Sequence, residues 1–457
     1  MDAATTPGAA ADVRALFETE MIDVKRRAFA VAVLAGALLI AGCSGGGTGS
    51  GGDATSPADP ANLSGEITVL TNRTDLVTDG SMDRYAAEFR KVYPKVTVKF
   101  QGITDYEGEV KIRMNSDEYG DVLLIPQVVA KADYPKFFAP LGEQAELAKT
   151  YSFTDYGSVG GKVYGIASFA AANGFVYNKD VWKQAGVTAW PTTPEQFLDA
   201  LRKIKAAGVT PYYTNYKDGW PLSSWSNVVG SVSCDAKAND KLATTEPWAA
   251  GTDLNVGDSL LFNIVKEKLA EPDPTTTNWE DSKGQIATGK IGTMWLGSWA
   301  VSQMQDAAKK AGKDPSVIGY LPFPAQSGGK YCSVVSPDKL YGINVHSKNK
   351  PAARAWVDWV LHKSGYAETA QAVSTVKGAA APAALTGYTE AGVTYVELSQ
   401  ADAVKVTAID NASEIGLTKA DYRQKLIDIA RGAAKGDLPA YLSDLNKQWT
   451  AAAKTVG

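Results

Sequence analysis

Residues 67–126 read ITVLTNRTDLVTDGSMDRYAAEFRKVYPKVTVKFQGITDYEGEVKIRMNSDEYGDVLLIP, and this stretch decides the fold class. The segments ITVL at 67–70, VTVKF at 96–100 and DVLLIP at 121–126 are rich in β-branched and aliphatic residues, which is typical of buried strands. A longer segment with polar and apolar residues separates each strand from the next. Strands that alternate with helical patterns predict an α/β architecture with a parallel sheet in this part of the chain.

The segments between and beyond these strands carry helix signals. Apolar residues recur at helical spacing, with a proline as the breaker, at Met82, Tyr85, Ala86, Phe89, Val92 and Pro94. A helix over 194–207 is predicted because Thr193 is placed to cap its start and Gly208 follows its end. Two further helices are predicted to begin at Pro351 and at Thr418.

The bulk composition favours a binding protein over an enzyme or a nucleic-acid partner. The chain has 457 residues, of which 45% are hydrophobic and 21% charged, so it has enough apolar material for more than one core. The formal charge of -4 is spread along the chain, and no basic face indicates nucleic-acid binding. Only two histidines, His346 and His362, and three cysteines are present, which leaves little for a His-based metal site or a Cys/His nucleophile.

The amino terminus has the features of an exported lipoprotein. Three basic residues at 25–27 precede the uncharged run AFAVAVLAGALLIA at 28–41, which ends at Gly42 and Cys43. The run is about 14 residues long, too short to span a hydrocarbon core of roughly 30 Å, which favours a cleaved signal peptide over 1–42. The segment IAGC ending at Cys43 resembles the bacterial lipobox, in which the cysteine receives diacylglycerol. An ordinary signal peptide with a chance cysteine is the alternative.

Three further predictions follow from this terminus. Met21 is a candidate true start, because the acidic residues within 1–20 suit a signal peptide poorly. Residues 43–63 are rich in Gly, Ser and Pro and predict a flexible tether that holds the folded part at the outer face of the cell membrane. With the lipobox cysteine acylated, Cys234 and Cys332 remain, and they form either one disulfide or two free buried thiols.

Two segments have the spacing of a known binding motif, but each lacks one residue that the chemistry of the motif requires. GQIATGK at 284–290 has the spacing of a phosphate loop, but Ile291 stands where a hydroxyl must hold magnesium, so its glycine is predicted to turn a helix into a strand. DLNVGD at 253–258 alternates oxygen ligands, but Ile264 stands where a calcium loop needs its bidentate glutamate. No catalytic motif occurs in a usable context, so we predict no catalytic residue, no metal and no cofactor.

Several stretches, taken in order, resemble the extracellular solute-binding proteins of ABC sugar importers, the broad group that includes the maltose-binding protein. They are ITVLTNRTDL at 67–76, EFRKVYPKVTVKF at 88–100, DYEGEVKIRMNSDEYGDVLLIP at 105–126, GKVYGIASFAAANGFVYNKDVWKQAG at 161–186, GWPLSSW at 219–225, GKIGTMWLGSW at 289–299 and LYGINVHSKNKPAARAWVDWVL at 340–361. The resemblance covers roughly residues 64–455. It rests on the order of the stretches more than on any one of them.

The resemblance implies a two-lobed periplasmic-binding-protein-like fold of type II. Each lobe is then an α/β sheet flanked by helices, and the lobes close on ligand about a hinge of several crossovers. The implied division assigns 64–172 and 331–376 to lobe 1, and 173–330 and 377–457 to lobe 2. Hinge segments, each rich in small residues, are expected near 171–174, 326–330 and 377–384.

The resemblance also implies where ligand binds, because in this family contacts follow strand ends that face the cleft. The corresponding positions here are Asn72, Arg73, Thr74, Asp105, Tyr106, Gln127, Asn173, Trp220, Trp299 and Tyr341. Each has a structural alternative. The tryptophans could fill an interlobe core, Arg73 could be an ion-paired surface residue, and Asp105 could cap a helix.

A pyranose offers an apolar CH face that packs on aromatic rings and a rim of hydroxyls that polar side chains bind. The resemblance implies a non-enzymatic, monomeric protein that captures a mono- or oligosaccharide, with ABC permease subunits as partners and ATPase subunits as indirect ones. A second hypothesis keeps the fold but changes the ligand to a polyol, glycerol phosphate or peptide, or makes the protein a sensor. A cleft lined by Arg and Lys without aromatic rings would favour it. A third, a glycan-active enzyme, requires paired carboxylates across the cleft.

Overall fold

A computed structural model of the chain describes Ala54 and residues 60–457. The predicted signal peptide over 1–42, the candidate start Met21 and the lipidation site Cys43 lie outside these described residues. Within residues 60–457, no helix is both long and apolar enough to cross a membrane. The described residues all fall in one compact unit, Gly51–Gly457.

The strands, in chain order, are β1 (Ser64–Thr71), β2 (Lys95–Gly102), β3 (Val122–Leu124), β4 (Gly142–Glu143), β5 (Ser158–Val159), β6 (Lys162–Val163), β7 (Gly165–Ala167), β8 (Ala170–Asn178), β9 (Thr210–Tyr212), β10 (Ile291–Gly297), β11 (Ile318–Leu321), β12 (Gln326–Ser327), β13 (Lys330–Pro337), β14 (Leu340–Ile343) and β15 (Thr394–Val396).

The α-helices are α1 (Thr74–Thr78), α2 (Ser81–Val92), α3 (Tyr106–Arg113), α4 (Tyr134–Phe137), α5 (Gln144–Leu147), α6 (Lys179–Gln184), α7 (Pro194–Ala206), α8 (Trp220–Ser223), α9 (Ala238–Lys241), α10 (Asp253–Lys266), α11 (Trp279–Ala287), α12 (Ala300–Lys310), α13 (Lys350–His362), α14 (Tyr366–Thr369), α15 (Thr386–Glu390), α16 (Ala403–Ser413), α17 (Asp421–Ala430) and α18 (Leu438–Val456). Short 3₁₀ helices occupy Lys131–Asp133, Thr154–Gly157, Ser224–Val228, Pro274–Thr276, Pro315–Val317 and Ala383–Leu385.

Two sheets organise the fold. The smaller has five strands in the order β2-β1-β3-β14-β7, with β1 parallel to β2 and β3, and with β14 antiparallel to β3 and β7. The larger has seven strands along the path β12-β13-β8-β10-β9, with β11 added beside β8 and β15 beside β13. Helices pack on both sheets, so the predicted two-lobed α/β fold is confirmed.

Apolar helix faces bury the smaller sheet. Helix α2 packs on β2 and α13 packs on β1 and β14, because each helix repeats apolar residues along one face. Phe89 of α2 meets Trp356 of α13 edge to face, with ring centroids 5.2 Å apart. Both side chains are buried in the same cluster as Ile67 of β1 and Val122 of β3. The helical spacing predicted between the first two strands is therefore confirmed.

The larger sheet has its own hydrophobic core. Helix α7 packs on β9, and α10 packs on α7 and α17. The carboxyl-terminal helices belong to the same cluster, with Ile409, Leu426 and Trp449 fully buried. Each sheet thus has its own cluster of buried apolar residues, which suits two lobes that keep their internal packing when they move.

The predicted start was correct for α7 and wrong for α17. Thr193 caps α7 as predicted, because its side chain accepts a hydrogen bond from the N–H of Gln196. The helix predicted to open at Thr418 instead begins at Asp421. The residues before Asp421 form a turn in which the N–H of Lys419 donates to the carbonyl of Gly416 at 2.8 Å.

The segment 284–290, which has only the spacing of a phosphate loop, forms the helix-to-strand turn that was predicted for it. Helix α11 ends at Ala287, Gly289 adopts a positive φ of 78°, and β10 begins at Ile291. A positive φ is costly for residues with a Cβ, so glycine suits this helix-to-strand turn. The segment at 253–258, which lacked a calcium ligand, forms the first turns of α10.

Two paired strands carry the chain between the sheets. Strand β8 follows β7 of the smaller sheet, and β13 leads into β14 of the smaller sheet. The two strands run antiparallel, with Ala170–Ala172 opposite Val335–Pro337. The chain therefore passes from the larger to the smaller sheet between Pro337 and Leu340, later than the boundary expected at 331. The other lobe boundaries remain predictions.

The hinge segment expected at 326–330 is wrong. Residues Gln326 and Ser327 of β12 pair with Tyr331 and Lys330 of β13, so the chain makes a tight hairpin there instead of crossing between sheets. The two intervening residues, Gly328 and Gly329, have φ of 57° and 77°. Positive φ at both central residues is the conformation of a two-residue hairpin turn, which explains the small residues that resembled a hinge.

Cys234 and Cys332 are joined in a disulfide, with Cα atoms 5.5 Å apart. This confirms the first of the two alternatives drawn from the sequence and excludes the pair of free thiols. Cys332 lies in β13, where it also pairs with Thr394 of β15. The disulfide therefore ties the loop around Cys234 to the strand that leaves the larger sheet.

Ala54 corrects the predicted tether over 43–63. Its side chain is 1% exposed, and its N–H donates to the carbonyl of Pro140 at 2.9 Å. The buried guanidinium of Arg354 donates to the carbonyl of Ala54 at 3.0 Å. Strand β1 also begins at Ser64, directly after this range. At least one residue of the range is therefore held against the folded part, so any free tether is shorter than predicted.

Candidate functional site

A cavity of about 830 Å³ lies between the two sheets. The smaller-sheet lobe contributes the lining residues Asn72, Arg73, Leu124, Gln127, Tyr156, Ser168, Phe169, Lys339, Tyr366 and Ala370. The larger-sheet lobe contributes Trp220, Ser223, Ser224, Asn227, Gly297, Trp299, Ser302, Gln303 and Thr418. The crossing strands β8 and β13, with the residue after β13, contribute Ala171, Asn173, Ser336, Pro337 and Asp338. Because strand ends meet here, the cavity lies where open α/β sheets usually bind ligands.

Two indole rings line one part of the cavity and a third supports them. The centroids of Trp220 and Trp299 are 5.8 Å apart, and both residues line the cavity. Trp279 meets Trp220 edge to face at 5.0 Å and Trp299 at 5.8 Å. Edge-to-face contacts of this kind are favourable, so Trp279 stabilises the orientation of the other two rings.

Hydrogen bonds join the loop before Trp220 to the loop before Trp279. The N–H of Trp279 donates to the carboxylate of Asp218 at 2.6 Å. The N–H of Lys217 donates to the hydroxyl of Thr277 at 2.8 Å. These hydrogen bonds hold the two loops together, so the three indole rings keep a defined arrangement.

A buried ion pair supports the short helix that carries Trp220. Arg423 and Asp258 have fully buried side chains, and Nε of Arg423 donates to Asp258 at 2.9 Å. The same guanidinium donates to the carbonyls of Leu222 in α8 and Leu417, at 3.4 and 3.3 Å. Leu417 precedes Thr418, which lines the cavity. This guanidinium therefore links two segments of the cavity wall.

Both cationic side chains that line the cavity have carboxylate partners. Arg73 donates through Nε and Nη2 to the two oxygens of Asp75, at 2.9 and 2.7 Å. Lys339 donates to Glu107, whose other oxygen accepts the N–H of Gln127 at 2.8 Å. Paired cations have less charge to offer an anionic ligand than free ones.

Burial also changes the titration of two cavity residues. Desolvation raises the pKa of the Asp338 carboxyl, and the nearby charges of Lys339 and Arg73 partly oppose that rise. Burial raises the pKa of Tyr366 to about 12, against the lowering effect of Arg73. The hydroxyl of Tyr366 is therefore neutral at physiological pH and available to donate a hydrogen bond.

Six of the ten implied ligand residues come together in this cavity: Asn72, Arg73, Gln127, Asn173, Trp220 and Trp299. Trp220 is 38% exposed, so it is not a closed core residue. Arg73 forms an ion pair with Asp75, which was the structural alternative to ligand binding, and it also lines the cavity. Asn173 is 3% exposed, and its Nδ2 donates to the carbonyl of Val334 at 3.0 Å, which joins β8 to β13.

The other four, Thr74, Asp105, Tyr106 and Tyr341, do not line this cavity. Asp105 caps α3 by accepting the N–H of Gly108, which was its structural alternative. Tyr106 is buried and accepts the N–H of Leu124 at 2.8 Å. Tyr341 is 7% exposed within the core of the smaller sheet. Thr74 begins α1 and packs near Gly102. These four side chains support the wall from behind or beside it.

Several residues of the cavity and its support were not predicted from the sequence: Tyr156, Asn227, Trp279, Gln303, Asp338, Lys339 and Tyr366. Lys339 reaches the cavity, whereas Tyr341, which was one of the implied ligand residues, does not. Tyr366 and Gln303 lie on helices that only the tertiary fold brings to the cleft. Trp279 follows the helix cap Asn278. The cap is a local signal for the start of α11, but it does not indicate which residues the ring of Trp279 contacts.

No group of three or more His, Cys, Asp and Glu side chains in the described part of the chain is arranged to hold a metal ion. The cavity wall contributes amides, hydroxyls, aromatic rings, one carboxylate and two ion-paired cations instead. Such a wall can form hydrogen bonds and ring contacts with a polar organic ligand.

Glu271 supports the base of the loop that carries Trp220. Its carboxylate accepts the N–H of Thr214 at 2.8 Å and also the hydroxyl of Thr214. Desolvation raises the pKa of Glu271 from 4.5 to about 7, and the hydrogen bonds from Thr214 only partly offset it. The ionised form of Glu271 therefore lowers the stability of the folded state.

This raised pKa predicts how stability changes with pH. A folded pKa above the unfolded one means that stability is greatest below about pH 4.5 and declines until about pH 7. We expect Glu271→Gln, which imitates the protonated acid, to remove that decline. At pH 8 the variant should then be more stable than the wild type by up to about 3 kcal/mol, and near pH 4.5 the two should be equal.

The measurement is urea denaturation followed by circular dichroism at several pH values. The exposed Glu118→Gln serves as the control and should follow the wild-type profile. Parallel profiles for Glu271→Gln and the wild type would show that Glu271 does not titrate in this range.

The family model for bacterial extracellular solute-binding proteins matches residues 74–367. Among curated relatives, the multiple sugar-binding protein of Streptococcus mutans is 26% identical over 300 residues, which are 62% of this chain and 68% of that protein. The diacetylchitobiose binding protein of Streptomyces coelicolor is 26% identical over 254 residues, 50% of this chain and 56% of that protein.

A solved structure with the same architecture is an ABC transporter binding protein of Bifidobacterium animalis subsp. lactis in complex with mannobiose. It is 29% identical, with a TM-score of 0.79, and the match covers 87% of this chain and 96% of that one. A manno-oligosaccharide specific solute binding protein of the same organism, in complex with mannotriose, is 27% identical with a TM-score of 0.80 and the same coverage. The similarity to both therefore extends over nearly the whole of each known chain.

Proposed function

Because this chain belongs to the bacterial extracellular solute-binding proteins, we propose that it captures a neutral mono- or oligosaccharide between its lobes and delivers it to an ABC permease. The observation that carries the proposal is the pair of indole rings, Trp220 and Trp299, in a cavity that also contains amide and hydroxyl groups. An indole packs on the CH face of a pyranose, and the polar groups bind its hydroxyls.

The charges of the cavity support a neutral ligand over glycerol phosphate or a peptide. A phosphate or carboxylate ligand needs cations that are free to pair with it. In this cavity Arg73 is paired with Asp75, and Lys339 is paired with Glu107. The cavity also contains the aromatic rings of Trp220 and Trp299, which a peptide- or phosphate-binding cleft would lack. A sugar therefore fits these walls better than the other ligands considered.

The relatives support a sugar ligand of more than one unit. Similar proteins are named for multiple sugars and for diacetylchitobiose, and two similar structures hold mannobiose and mannotriose. A cavity of about 830 Å³ is large enough for a ligand of that size.

Capture requires the lobes to close around the ligand. We assign the hinge to β8 and β13, at Ala170–Ala172 and Val335–Pro337, with a further crossover within 377–384. Small side chains at Ala171 and Ala172 allow the strands to bend with little repacking. Closure would bring the tryptophans of one lobe towards Asn72 and Gln127 of the other.

The family is extracellular, so the chain acts outside the cytoplasm. We propose that it is anchored to the outer face of the cell membrane by lipid on Cys43 after removal of residues 1–42. The basic residues, short apolar run and IAGC segment support this assignment. The permease subunits are then its partners in the membrane, the chain acts as a monomer, and it catalyses no reaction.

The proposal predicts that a neutral sugar stabilises the protein against heat. Ligand that binds only the folded state raises the free energy of unfolding by about 2.7 kcal/mol at one hundred times Kd. We expect at least one of mannobiose, mannotriose, maltotriose, cellotriose, raffinose and diacetylchitobiose to raise Tm in a saturable way, without conversion of the sugar. If glycerol phosphate or a peptide raises Tm and no sugar does, the proposed ligand class is wrong.

The indole of Trp299 predicts a second outcome. Trp299→Ala should weaken binding of the sugar by at least about tenfold, because the stacking surface is lost. Gly297→Ala should weaken binding similarly, since its Cβ would lie 2.4 Å from Nε1 of Trp299 and force the ring to move. Isothermal titration calorimetry measures both effects.

A matched glycine serves as the control for these variants. Gly284→Ala, in α11, introduces a Cβ with nothing within 4 Å, so its affinity should equal that of the wild type. Tyr395→Ala removes an aromatic ring that is 42% exposed outside the cavity, and it should also leave affinity unchanged. Unchanged affinity in Trp299→Ala would show that this ring does not contact the sugar.

A further inference from the structure

Asp338 occupies the point where the chain leaves the larger sheet for the smaller one. It follows the last residue of β13 and precedes β14 by one residue. Its N–H donates to the carbonyl of Phe169 at 3.0 Å, on the neighbouring crossover from β7 to β8. The backbone at Asp338 is thereby held, and its side chain lines the cavity.

Among the described residues, Asp338 is the charged lining residue of the cavity that has no ion-pair partner. The charged lining residues within the described part of the chain are Arg73, Lys339 and Asp338. The first two donate to Asp75 and Glu107. The backbone N–H of Lys339 donates to the Asp338 carboxylate, and no side chain among residues 60–457 forms an ion pair with it.

An ionised carboxylate can only accept hydrogen bonds, so it needs donors. Water still reaches Asp338, but the surrounding protein desolvates it enough to raise its pKa. Hydrogen bonds from ligand hydroxyls to a charged acceptor are about twice as strong as those between neutral groups. The N–H of Lys339 occupies only one of the acceptor sites of this carboxylate, so ligand hydroxyls can donate to the others.

The negative charge of Asp338 affects neutral and anionic ligands differently. An anionic sugar would place a second negative charge beside this carboxylate, and repulsion of that kind is an effective device for specificity. A neutral, hydroxyl-rich ligand avoids this repulsion.

We propose that Asp338 is the specificity-determining residue of the cleft, which accepts hydrogen bonds from hydroxyls of a neutral oligosaccharide and rejects uronic acid and phosphorylated sugars. This inference rests on the proposed sugar-binding function and adds the ligand's charge class. The selectivity arises because a neutral ligand supplies donors to the carboxylate, whereas an anionic one supplies further acceptors.

The test compares the wild type with Asp338→Asn by isothermal titration calorimetry, using mannotriose and its fully oxidised counterpart, the mannuronate trimer. The amide has the shape of the carboxylate but no charge. We expect the variant to bind mannotriose at least tenfold more weakly. Its preference for mannotriose over the mannuronate trimer should fall by at least tenfold as well.

Two controls separate ligand contact from a structural role. Because the side-chain oxygen of asparagine can still accept the N–H of Lys339, Asp338→Asn should leave Tm without ligand unchanged. The exposed Asp180→Asn, in α6, should leave both Tm and affinity unchanged. A large loss of Tm without ligand in Asp338→Asn would overturn the assignment, because it would show that the carboxylate serves the fold.

The outcomes also separate this inference from the proposed function. If the wild type binds mannotriose and Asp338→Asn binds it equally well with unchanged selectivity, the inference on Asp338 is wrong while sugar capture stands. If the wild type binds neither mannotriose nor any sugar of the thermal panel, the proposed function fails and this inference fails with it.

Discussion

The antiparallel pairing of β8 with β13 is the constraint on which the rest of the structure depends. Three residue pairs, Ala170 to Ala172 against Pro337 to Val335, place two interlobe connections side by side. Asn173 adds a side-chain hydrogen bond to the carbonyl of Val334, and the disulfide holds Cys332 of the same strand. Because these strands join the sheets, they form the floor of the cleft and fix which strand ends face each other.

The site follows from that geometry together with the choice of side chains. The smaller-sheet lobe supplies amides and two cations that the protein itself neutralises, and the larger-sheet lobe supplies the indoles of Trp220 and Trp299. Supporting contacts hold the rings in place, through Trp279, Asp218 and the buried Arg423. The proposed selectivity for a neutral ligand thus rests on charge pairing within the wall as much as on the groups proposed to contact the ligand.

Local signals in the sequence predicted the elements better than the site. The helix capped by Thr193, the strands from Ile67 and the turn at Gly289 depend on neighbours in the chain, so their patterns were sufficient. The hinge expected at 326–330 failed because two glycines suit a hairpin turn as well as a hinge. Tyr341 and Lys339 are two positions apart in sequence, yet only the fold determines which one reaches the cavity. Tyr366 hydrogen-bonds with Arg73, and Asp338 feels its charge, only through tertiary packing, for which one sequence has no signal.

We propose that a sugar binds between the lobes against the indole rings. The decisive measurement is a crystal structure of the protein with the oligosaccharide that raises its Tm most. We expect electron density for a pyranose ring packed on Trp299 and Trp220, with hydroxyls within hydrogen-bond distance of the Asp338 carboxylate. Density for the sugar elsewhere on the protein, or a sugar in the cleft that makes no contact with either indole, would contradict it.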